Sequence, residues 1–519
     1  MADSVQSQSQ PQPLPSSDSA EQGKVILTWD ELIEKSLGNF GWMQFLQCIL
    51  VSIAMYFDAQ QSFISIYSDD FPTWHCTNTS ICKPTSDHCK IPKSSWSWDS
   101  HSSKTIISHW SLECSSSFLT GLPQSSFFIG CLIGSFVLAA LADSSLGRKN
   151  MLILSCLSMS VTSMLIIFST NIWIYSALKF LIGFWRSTIG TSVLVLLTEK
   201  VSANWRFTVG IVEYMSFTLG YMSLPGIAYV NRNSSWKSLY IWTSVPAICY
   251  SVIAYLFVTE SPRWLLTQGR EKEALKILQG VAGNGVVLDG RLPKVDVKEK
   301  VSFFQLYASI GELFKKRWAV IRTVAVMVLG IGVGMVYFGM PLAVGNLGFN
   351  IYLAVVFSAL MEIPSCVATY FLENYKRRPS ILVFSIIGGV CCVMCAVVGD
   401  HRLQWVKVGL AMVSFFGACT AYNVFLIYII ELFPTCVRNT TTSLVRQAIV
   451  FGCIFSPFLI SAGRKNNFFS YGVFGVVILL SNLTLLCLPE TQGIVLCDTM
   501  DQQEKKETSM NEIGNRVNV

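Results

Sequence analysis

Six charged side chains lie within long apolar stretches of the sequence, and their chemistry suits the binding or movement of a charged solute. Three are acids and three are bases: Asp58, Glu213, Glu362, Lys179, Arg186 and Arg446. A charge inside hydrocarbon is costly unless it faces protein, a partner charge or water, so such residues indicate a solute pathway. The alternatives are that Lys179 reaches the outer surface and Glu213 the inner one, and that the others form structural ion pairs.

Aromatic residues in the same stretches add a second type of contact. Tyr337, Phe338 and Tyr428 can hold an ammonium group against a ring face, although packing of the core is the alternative. Asp58 and Glu362 are the carboxylates nearest to mid-membrane, and we expect them to face each other across a cavity. The predicted substrate-binding residues are Asp58, Arg186, Glu213, Tyr337, Glu362, Tyr428 and Arg446.

Other chemistries find no support in the sequence. It has no Gly-x4-Gly-Lys-Ser/Thr loop, so ATP hydrolysis is not predicted. The five histidines fall in predicted outer loops, which leaves carboxylates as the intramembrane proton carriers. The apolar stretches contain no nucleophile–base pair and no metal-ligand cluster, so neither an enzyme nor a cofactor is predicted. A basic stripe of the kind that binds nucleic acid is also missing.

Composition places these residues in a membrane protein. The chain has 519 residues, of which 52% are hydrophobic and 13% charged, whereas a soluble domain carries roughly 25% charged residues. About twelve apolar stretches recur, each long enough to cross the bilayer at about 20 residues. An all-α membrane protein is predicted, with helices near 43–66, 118–141, 150–170, 172–197, 207–230, 239–258, 319–341, 350–372, 380–400, 407–430, 442–462 and 469–488.

Charged motifs repeat at an interval of about 230 positions. Arg148 and Arg377 follow this interval, as do Glu260 and Glu490, and the spacing Glu-x6-Arg recurs in Glu199…Arg206 and Glu431…Arg438. Three echoes at one offset predict a duplication, namely two six-helix pseudo-repeats related by an axis along the membrane normal. The predicted segments are 1–42 (N-terminal), 43–258 (first bundle, with an outer loop at 67–117), 259–318 (linker), 319–488 (second bundle) and 489–519 (tail).

Basic residues concentrate on the side opposite the outer loop, so the positive-inside rule places both termini in the cytosol. On that side, acids and bases at helix ends can pair in one state and separate in another, as a bistable latch. The alternative is that these charges only fix topology. The predicted latch residues are Asp143, Gly147, Arg148, Lys149, Glu199, Arg206, Glu260, Arg263, Glu373, Arg377, Arg378, Glu431, Arg438 and Glu490.

The outer loop is the one polar module of the chain. It contains Cys76, Cys82, Cys89 and Cys114 and a glycosylation sequon at Asn78. Because these cysteines lack a Cys-x2-Cys pair and the sequon indicates an oxidising compartment, we predict two disulfides, with three possible connectivities, in preference to a metal site. Asn233 is a second sequon predicted to lie outside.

Short motifs in a fixed order carry a family resemblance. They are Phe57-Asp-Ala-Gln-Gln61, Pro72-Thr-Trp-His-Cys76, Leu146-Gly-Arg-Lys149, Glu260-Ser-Pro-Arg-Trp264, Asn350-Ile-Tyr352, Glu362-Ile-Pro364, Glu431-Leu-Phe-Pro-Thr435 and Pro489-Glu-Thr491. From Phe40 to Cys497 the sequence resembles the organic cation/carnitine transporters of the major facilitator superfamily, and particularly their plant branch. The resemblance implies the major facilitator fold of twelve transmembrane helices.

The sequence departs from the family pattern at both latches and in helix 11. Ser144 takes the place of an acid, with Asp143 one position earlier, and Lys376 replaces a glycine while Glu373 keeps the acid. Animal relatives carry a charge where Val450 stands here. Arg446 lies one helical turn earlier on roughly the same face, so we expect it to border the cavity or its inner gate.

These observations predict an alternating-access secondary transporter of small organic cations or zwitterions, carnitine-like or polyamine-like. A coupling proton or sodium ion is an expected partner. A non-transporting solute receptor on the same fold and an organic anion carrier are the alternatives. The protein is expected in the vacuolar or the plasma membrane, as a multi-pass protein in contact with lipid.

Overall fold

The structure is a computed structural model that describes residues 33–34, 37–38, 40–78, 82, 88–99, 101–142, 146–282, 311, 313–398, 404–464, 467–493 and 497–505. At 139–142, 281–282, 373 and 467 it describes the backbone alone. Most of the predicted N-terminal segment and the last part of the tail therefore lie outside the described residues, as does latch residue Asp143.

Two sets of six long helices form the body of the protein. The first half contains α1 Trp42–Phe63, α2 Ser117–Ala142, α3 Arg148–Leu165, α4 Ile172–Glu199, α5 Arg206–Val230 and α6 Trp236–Phe257. The second contains α7 Arg317–Leu342, α8 Ile351–Phe371, α9 Arg377–Val397, α10 Gln404–Leu432, α11 Thr435–Gly463 and α12 Tyr471–Ser481. Within the described ranges, ten helical segments are long and apolar enough to span a membrane, and α5 and α12 complete the twelve-helix major facilitator fold.

Local sequence explains where several helices begin and break. The side chain of Asn171 caps α4 by accepting hydrogen bonds from the backbone N–H groups two and three residues later. Asn350 caps α8 in the same way. α4 consists of Ile172–Arg186 and Ile189–Glu199 around a short break. α11 begins at Thr435, earlier than the predicted 442, because its first two turns are polar and hydropathy does not mark them.

Neighbouring helices pack closely where glycine removes the side chain. A Cβ atom at Gly183 of α4 would overlap the backbone carbonyl oxygen of Phe127 on α2. The two halves meet along two antiparallel pairs, α2 with α11 and α5 with α8. Small side chains at such contacts let membrane helices gain dispersion energy over a large area.

The two ends of the bundle differ in what they carry. The loop end carries the disulfide loop, residues 69–116, which contains strands β1 Trp74–Cys76 and β2 Trp96–Trp98 in an antiparallel pair. The linker end carries the helices Pro262–Thr267 and Glu271–Ala282, whose apolar side chains pack with Ile33 and Leu37.

Candidate functional site

Glu362, on α8, is a fully buried carboxylate at the contact between the two halves. Its Oε2 accepts a hydrogen bond from the hydroxyl of Thr218 on α5, with an oxygen–oxygen distance of 2.6 Å. Its Oε1 has no hydrogen-bond partner among the described residues. A buried carboxylate is costly unless a cation or further hydrogen bonds compensate it. Glu362 is therefore the acid of the bundle whose charge is least compensated by its described surroundings.

Tyrosines surround this carboxylate. Tyr337 of α7 interacts electrostatically with Glu362, as do Tyr214 and Tyr221 of α5. The two α5 tyrosines are one turn on either side of Thr218, which places them on the same helix face. The Tyr337 ring stacks on Tyr422 of α10, with centroids 4.3 Å apart and planes 7° from parallel. Ring faces beside an acid are the chemistry that binds ammonium groups.

Asp58 of α1 differs from Glu362 because it has a cation beside it. The Nε atom of Arg186 on α4 lies 2.7 Å from Oδ1 of Asp58, and Nη2 of the same guanidinium donates to Oδ2 at 2.9 Å. The Arg186 guanidinium also contacts the sulfur of Cys131 at 3.7 Å. Both charged side chains are largely withdrawn from solvent, at 3% and 15% exposure for Asp58 and Arg186. This is a buried ion pair with one hydrogen bond, since Nε and Oδ1 are close without hydrogen-bond geometry. The charge of Asp58 is therefore already paired.

Glu213 and Arg446 approach each other across the interface between the halves. Glu213, on α5, interacts electrostatically with Arg446 of α11, and both are partly buried. Tyr422 interacts with these two residues and with Arg186. Next to Arg446, Gln447 accepts a hydrogen bond from Ser135 of α2 at 2.8 Å. Acids, bases and a tyrosine from both halves thus converge near the centre of the bundle.

Two residues lie in surroundings other than the predicted ones. The hydroxyl of Tyr428 donates to the carbonyl of Pro489 at 2.6 Å, so this tyrosine fastens α10 to the segment after α12 at the linker end. Lys179 does not reach a surface: it is fully buried and donates to the Ser65 hydroxyl at 2.8 Å. Its ammonium group lies within 6 Å of the rings of Phe127, Tyr175 and Tyr240.

The loop end is closed across the two halves. The ring of Phe118 on α2 stacks on that of Phe458 on α11, with centroids 5.2 Å apart. Deeper along the same helix pair, Ser125 donates to the carbonyl of Ile454 at 2.9 Å. On the opposite side, Tyr67 stacks on Tyr352 of α8 at 5.7 Å. Contacts of α2 with α11, and of the short helix Ser65–Ser68 after α1 with α8, therefore hold this end shut.

At the linker end of the first half, Glu260 binds the start of α3. Its carboxylate accepts hydrogen bonds from the backbone N–H of Lys149 at 3.0 and 3.2 Å and from that of Ser261 at 3.0 Å. Gly147 precedes this helix with φ +88°, a conformation that favours glycine. Glu199 interacts with Ser261, Arg148 and Arg263.

The second half repeats this arrangement. Glu490 accepts hydrogen bonds from the backbone N–H of Arg377 at 2.8 Å and of Arg378 at 3.2 Å, at the start of α9, and from Thr491 at 3.0 Å. Glu431 accepts from the Thr491 hydroxyl at 2.8 Å and pairs with the Arg377 guanidinium at 3.1 Å. The repeated motifs of the sequence thus build the same contact network twice.

Among the described residues, the acids and bases with the spacing Glu-x6-Arg do not pair with each other in this conformation. Arg206 pairs instead with Glu34, from the segment before α1, at 3.1 Å, and Arg263 contacts the same carboxylate at 3.3 Å. Arg438 donates weakly to the carbonyl of Phe433 at 3.5 Å. Within one helix, residues seven positions apart lie two turns apart on the same face. Here the acid lies at the end of one helix and the arginine on the next, so each arginine is closer to other residues than to that acid. The side chain of Glu373 lies outside the described part of the chain.

Ion pairs at the linker end that join described residues stay within one half. They include Arg206–Glu34, Arg377–Glu431 and Lys316 with Asp501 and Glu504. The loop end is held by contacts that cross between the halves. At the linker end the rings of Phe207 on α5 and Tyr370 on α8 also meet across the halves, with centroids 6.0 Å apart. The described ion pairs there, by contrast, are satisfied inside each half.

The disulfide loop contains the four predicted cysteines in two bonds, Cys76–Cys82 and Cys89–Cys114. The sequon residues Asn78 and Asn233 are both exposed at this end.

Ser97, His75 and Asp99 align across β1 and β2 of the disulfide loop. The Ser97 hydroxyl lies 3.0 Å from Nε2 of His75, and Asp99 lies 2.5 Å from Nδ1. Hydrogen bonds from Thr73 and His75 lower the pKa of Asp99. The order of groups resembles a hydrolase triad, but the His75 and Asp99 side chains are 55% and 43% exposed, whereas acyl-transfer chemistry depends on a site that excludes water. The contacts hold the two strands in register.

Several residues of the site were not predicted from the sequence. Thr218, Tyr214 and Tyr221 share one face of α5, and their spacing of three to four residues was a detectable signal. Tyr422 has the same chemistry as the predicted Tyr337, on which it stacks. Glu34 carries no local signal, because its partners are far away along the chain.

Comparison with known proteins agrees with this architecture. The family model described as "Sugar (and other) transporter" matches residues 78–500. A structure of the xylose transporter XylE from E. coli, in a partially occluded inward open conformation, superimposes with a TM-score of 0.60 at 17% identity, covering 88% of this chain and 99% of that one. This likeness shows the fold.

Curated relatives define the group more closely. "Organic cation/carnitine transporter 3" of Arabidopsis thaliana is 50% identical over 92% of this chain and 93% of its own length. "Organic cation/carnitine transporter 2" of Mus musculus is 32% identical over 77% of this chain and 71% of its own. The chain is thus an integral, multi-pass membrane carrier and not an enzyme, and it belongs to the organic cation/carnitine transporters of the major facilitator superfamily.

Proposed function

We propose that the protein carries small organic cations or zwitterions by alternating access, with Glu362 as the principal anionic contact for the substrate. The observation that carries the proposal is the burial of this carboxylate with one oxygen unpartnered among the described residues and with Thr218 on the other. A permanently charged ammonium loses its hydration on entering such a site, and an opposing charge offsets that loss.

The tyrosines give this site its shape preference. Tyr214, Tyr221 and Tyr337 interact with the same carboxylate through their hydroxyls, and the Tyr337 ring stacks on Tyr422. A quaternary, trimethylated ammonium has no N–H donor, so it gains from ring faces. A primary ammonium gains from hydroxyl oxygens. Both carnitine-like and polyamine-like substrates are compatible with this set.

A zwitterion also needs a cationic contact for its anionic end. Arg446 is the candidate, because it lies near Tyr422, which stacks on Tyr337 of the Glu362 site. Arg186 is less available, since it forms a buried ion pair with Asp58. In this proposal Asp58 and Arg186 form part of the cavity wall, and their opposite charges cancel each other.

In the transport cycle the two ends open in turn. Separation of Phe207 from Tyr370 would open the Glu362 site toward the linker end, which the distribution of basic residues assigns to the cytosol. Closing the linker end would require latch charges to form new pairs across the halves. A proton or a sodium ion as coupling partner is compatible with a buried carboxylate, and the membrane is vacuolar or plasma membrane.

The test is uptake into proteoliposomes with a panel of labelled cations, zwitterions and anions, with and without a pH or sodium gradient. We expect saturable uptake and counterflow of a quaternary ammonium solute, and competition by other cations. Glu362→Gln should weaken this saturable uptake. Glu273→Gln, which changes an exposed ion pair on the linker, is the matched control. Binding without counterflow would indicate a receptor, and competition by anions alone an anion carrier.

A further inference from the structure

A second polar cavity lies at the loop end, between the two halves and apart from Glu362. Acids line it from the first half, at Asp69 and Asp70 just beyond α1, and a base lines it from the second half, at Arg464 just beyond α11. Gln124 and Asn346 complete its polar wall. The transport site does not use these residues, so their arrangement calls for its own explanation.

Arg464 occupies this cavity as an organic cation would. Its guanidinium donates to the backbone carbonyl of Asp69 at 3.0 Å and lies 5.8 Å from the centroid of the Phe71 ring. Asp70 and Asp69 interact with it electrostatically. A carbonyl, a ring face and two carboxylates are the contacts that small ammonium and guanidinium cations prefer.

Asp69 retains binding capacity in this arrangement. Its side chain accepts hydrogen bonds at Oδ1 from Tyr175 and Ser68, each at 2.7 Å. Its Oδ2 has no hydrogen-bond partner within the described part of the chain, although the residue is only 8% exposed and lines the cavity. Buried Lys179 of the same half interacts with Asp69 electrostatically, so Asp69 is partly compensated and still has an oxygen that can accept a hydrogen bond.

We propose that this cavity is an outer binding site for small organic cations, and that Arg464 is a tethered cation that fills it while the loop end is closed. The acids and Phe71 belong to the first half and Arg464 to the second, so separation of the halves withdraws the guanidinium and leaves the anionic contacts in place. An ammonium or guanidinium solute then takes its position. The outer site rests on the proposed function only in the class of solute that is carried, namely small organic cations.

The site has a direct consequence for the transport cycle. Arg464 and an arriving cation compete for the same contacts, so return of Arg464 expels the cation from the outer site as the loop end closes. Removing the tethered cation should therefore lower the KM for cations supplied at the loop end, by roughly threefold for one solvent-screened charge contact. Anions gain nothing from this site.

Chemical rescue tests the outer site without relying on transport. The full-length protein carrying Arg464→Ala, in nanodiscs, should unfold at a lower temperature than the parent. Methylguanidinium at about ten times its Kd should raise the midpoint of Arg464→Ala by about 1–2 °C and leave the parent unchanged, because its site is already filled. Urea, which is planar but neutral, should have no effect at the same concentration.

Two further variants make the result decisive. Arg464→Ala combined with Asp69→Asn and Asp70→Asn should lose the rescue, and Lys237→Ala, which removes a cation at the same end, should show none. If Arg464→Ala does not fold, Arg464→Gln replaces it, since glutamine keeps a donor but not the charge. Equal stabilisation of parent and variant, or rescue that survives loss of both acids, overturns the proposal. Failure of the uptake panel with rescue intact would overturn the proposed function alone.

Discussion

The two buried acids of the bundle, Asp58 and Glu362, have opposite surroundings. Asp58 is paired with the Arg186 guanidinium, whose Nη2 donates to Oδ2 at 2.9 Å while Nε lies 2.7 Å from Oδ1. Glu362 has a hydroxyl on one oxygen, no described partner on the other, and tyrosines around it. Burial alone therefore does not identify a binding residue. The compensating charge does, because a paired acid has already met the cost of leaving water and an unpaired one has not.

The halves show a second comparison at the linker end. Glu260 and Glu490 bind the N-termini of α3 and α9 through the same backbone contacts. Beyond this shared network, each half holds a different flanking segment: Glu34 contacts Arg206 and Arg263, whereas Lys316 contacts Asp501 and Glu504 of the tail. Duplication preserved the helix-capping contact, and the chain on each side provided new partners.

The largest effect is expected from Arg186→Ala. This change leaves the Asp58 carboxylate buried and unpaired, which costs about 3–5 kcal/mol for a buried pair. We expect the variant to lose most of its folded yield, measured by size-exclusion chromatography in detergent. Adding Asp58→Asn should restore folding in part, because the uncompensated charge is gone. Normal yield of Arg186→Ala alone would show that solvent reaches Asp58.

The complementary change is Glu362→Gln. It removes a charge that no described cation neutralises, so the fold should hold and cation uptake should fall by roughly tenfold, the effect of about 1.4 kcal/mol. Uptake and surface expression are measured together, with Asp58→Asn as the contrasting variant. Asp58→Asn should reduce folded protein more than uptake per folded molecule. The reverse pattern would exchange the roles assigned to the two acids.

Arginines of the two latches should differ in a graded way. The Arg377 side chain is 8% exposed and pairs with Glu431, whereas Arg206 is 43% exposed and pairs with Glu34. Arg377→Gln should lower the thermal midpoint and slow turnover several-fold, since charged hydrogen bonds that are withdrawn from water contribute about 1.5–3 kcal/mol. Arg206→Gln should leave the thermal midpoint nearly unchanged and alter turnover by less than twofold, because exposed ion pairs contribute little. Equal effects would mean that latch strength does not depend on burial.

A modest effect is expected from pH at the loop end. Burial raises the pKa of Asp70 to about 6, against the opposing effect of Arg464 and Lys104, and Tyr67 and Tyr352 also face it. Opening exposes Asp70, so its pKa returns toward about 4. The closed state then binds more protons, and it gains stability as pH falls from 7 through 6 to 5.

We expect solute supplied at the loop end to be taken up roughly threefold more slowly at pH 5 than at pH 7, after solvent screening. Asp70→Asn should remove this dependence, with the pH of the opposite compartment held constant. A variant that keeps the parent's pH profile would place the titrating group elsewhere.

Hydropathy and repeated motifs were sufficient to predict the helices and their duplication. A helix that crosses hydrocarbon must satisfy its backbone internally and present apolar side chains for about 20 residues, and this constraint is local in sequence. The membrane-embedded charges were visible for the same reason. The repeated Glu260 and Glu490 motifs even predicted equivalent positions, because the duplicated chain folds into the same contact twice.

Tertiary structure alone decided which charges meet. Asp58 and Arg186 lie on different helices, and no local pattern shows that α1 and α4 bring them within 2.7 Å. Lys179 has the length to reach the surface, yet packing buries it among aromatic rings. Tyr428 lies on an apolar helix as a cavity residue would, yet its hydroxyl reaches the carbonyl of Pro489. Residue type sets what a side chain can bind, but helix packing sets the direction it faces, and the choice of partner depends on that direction.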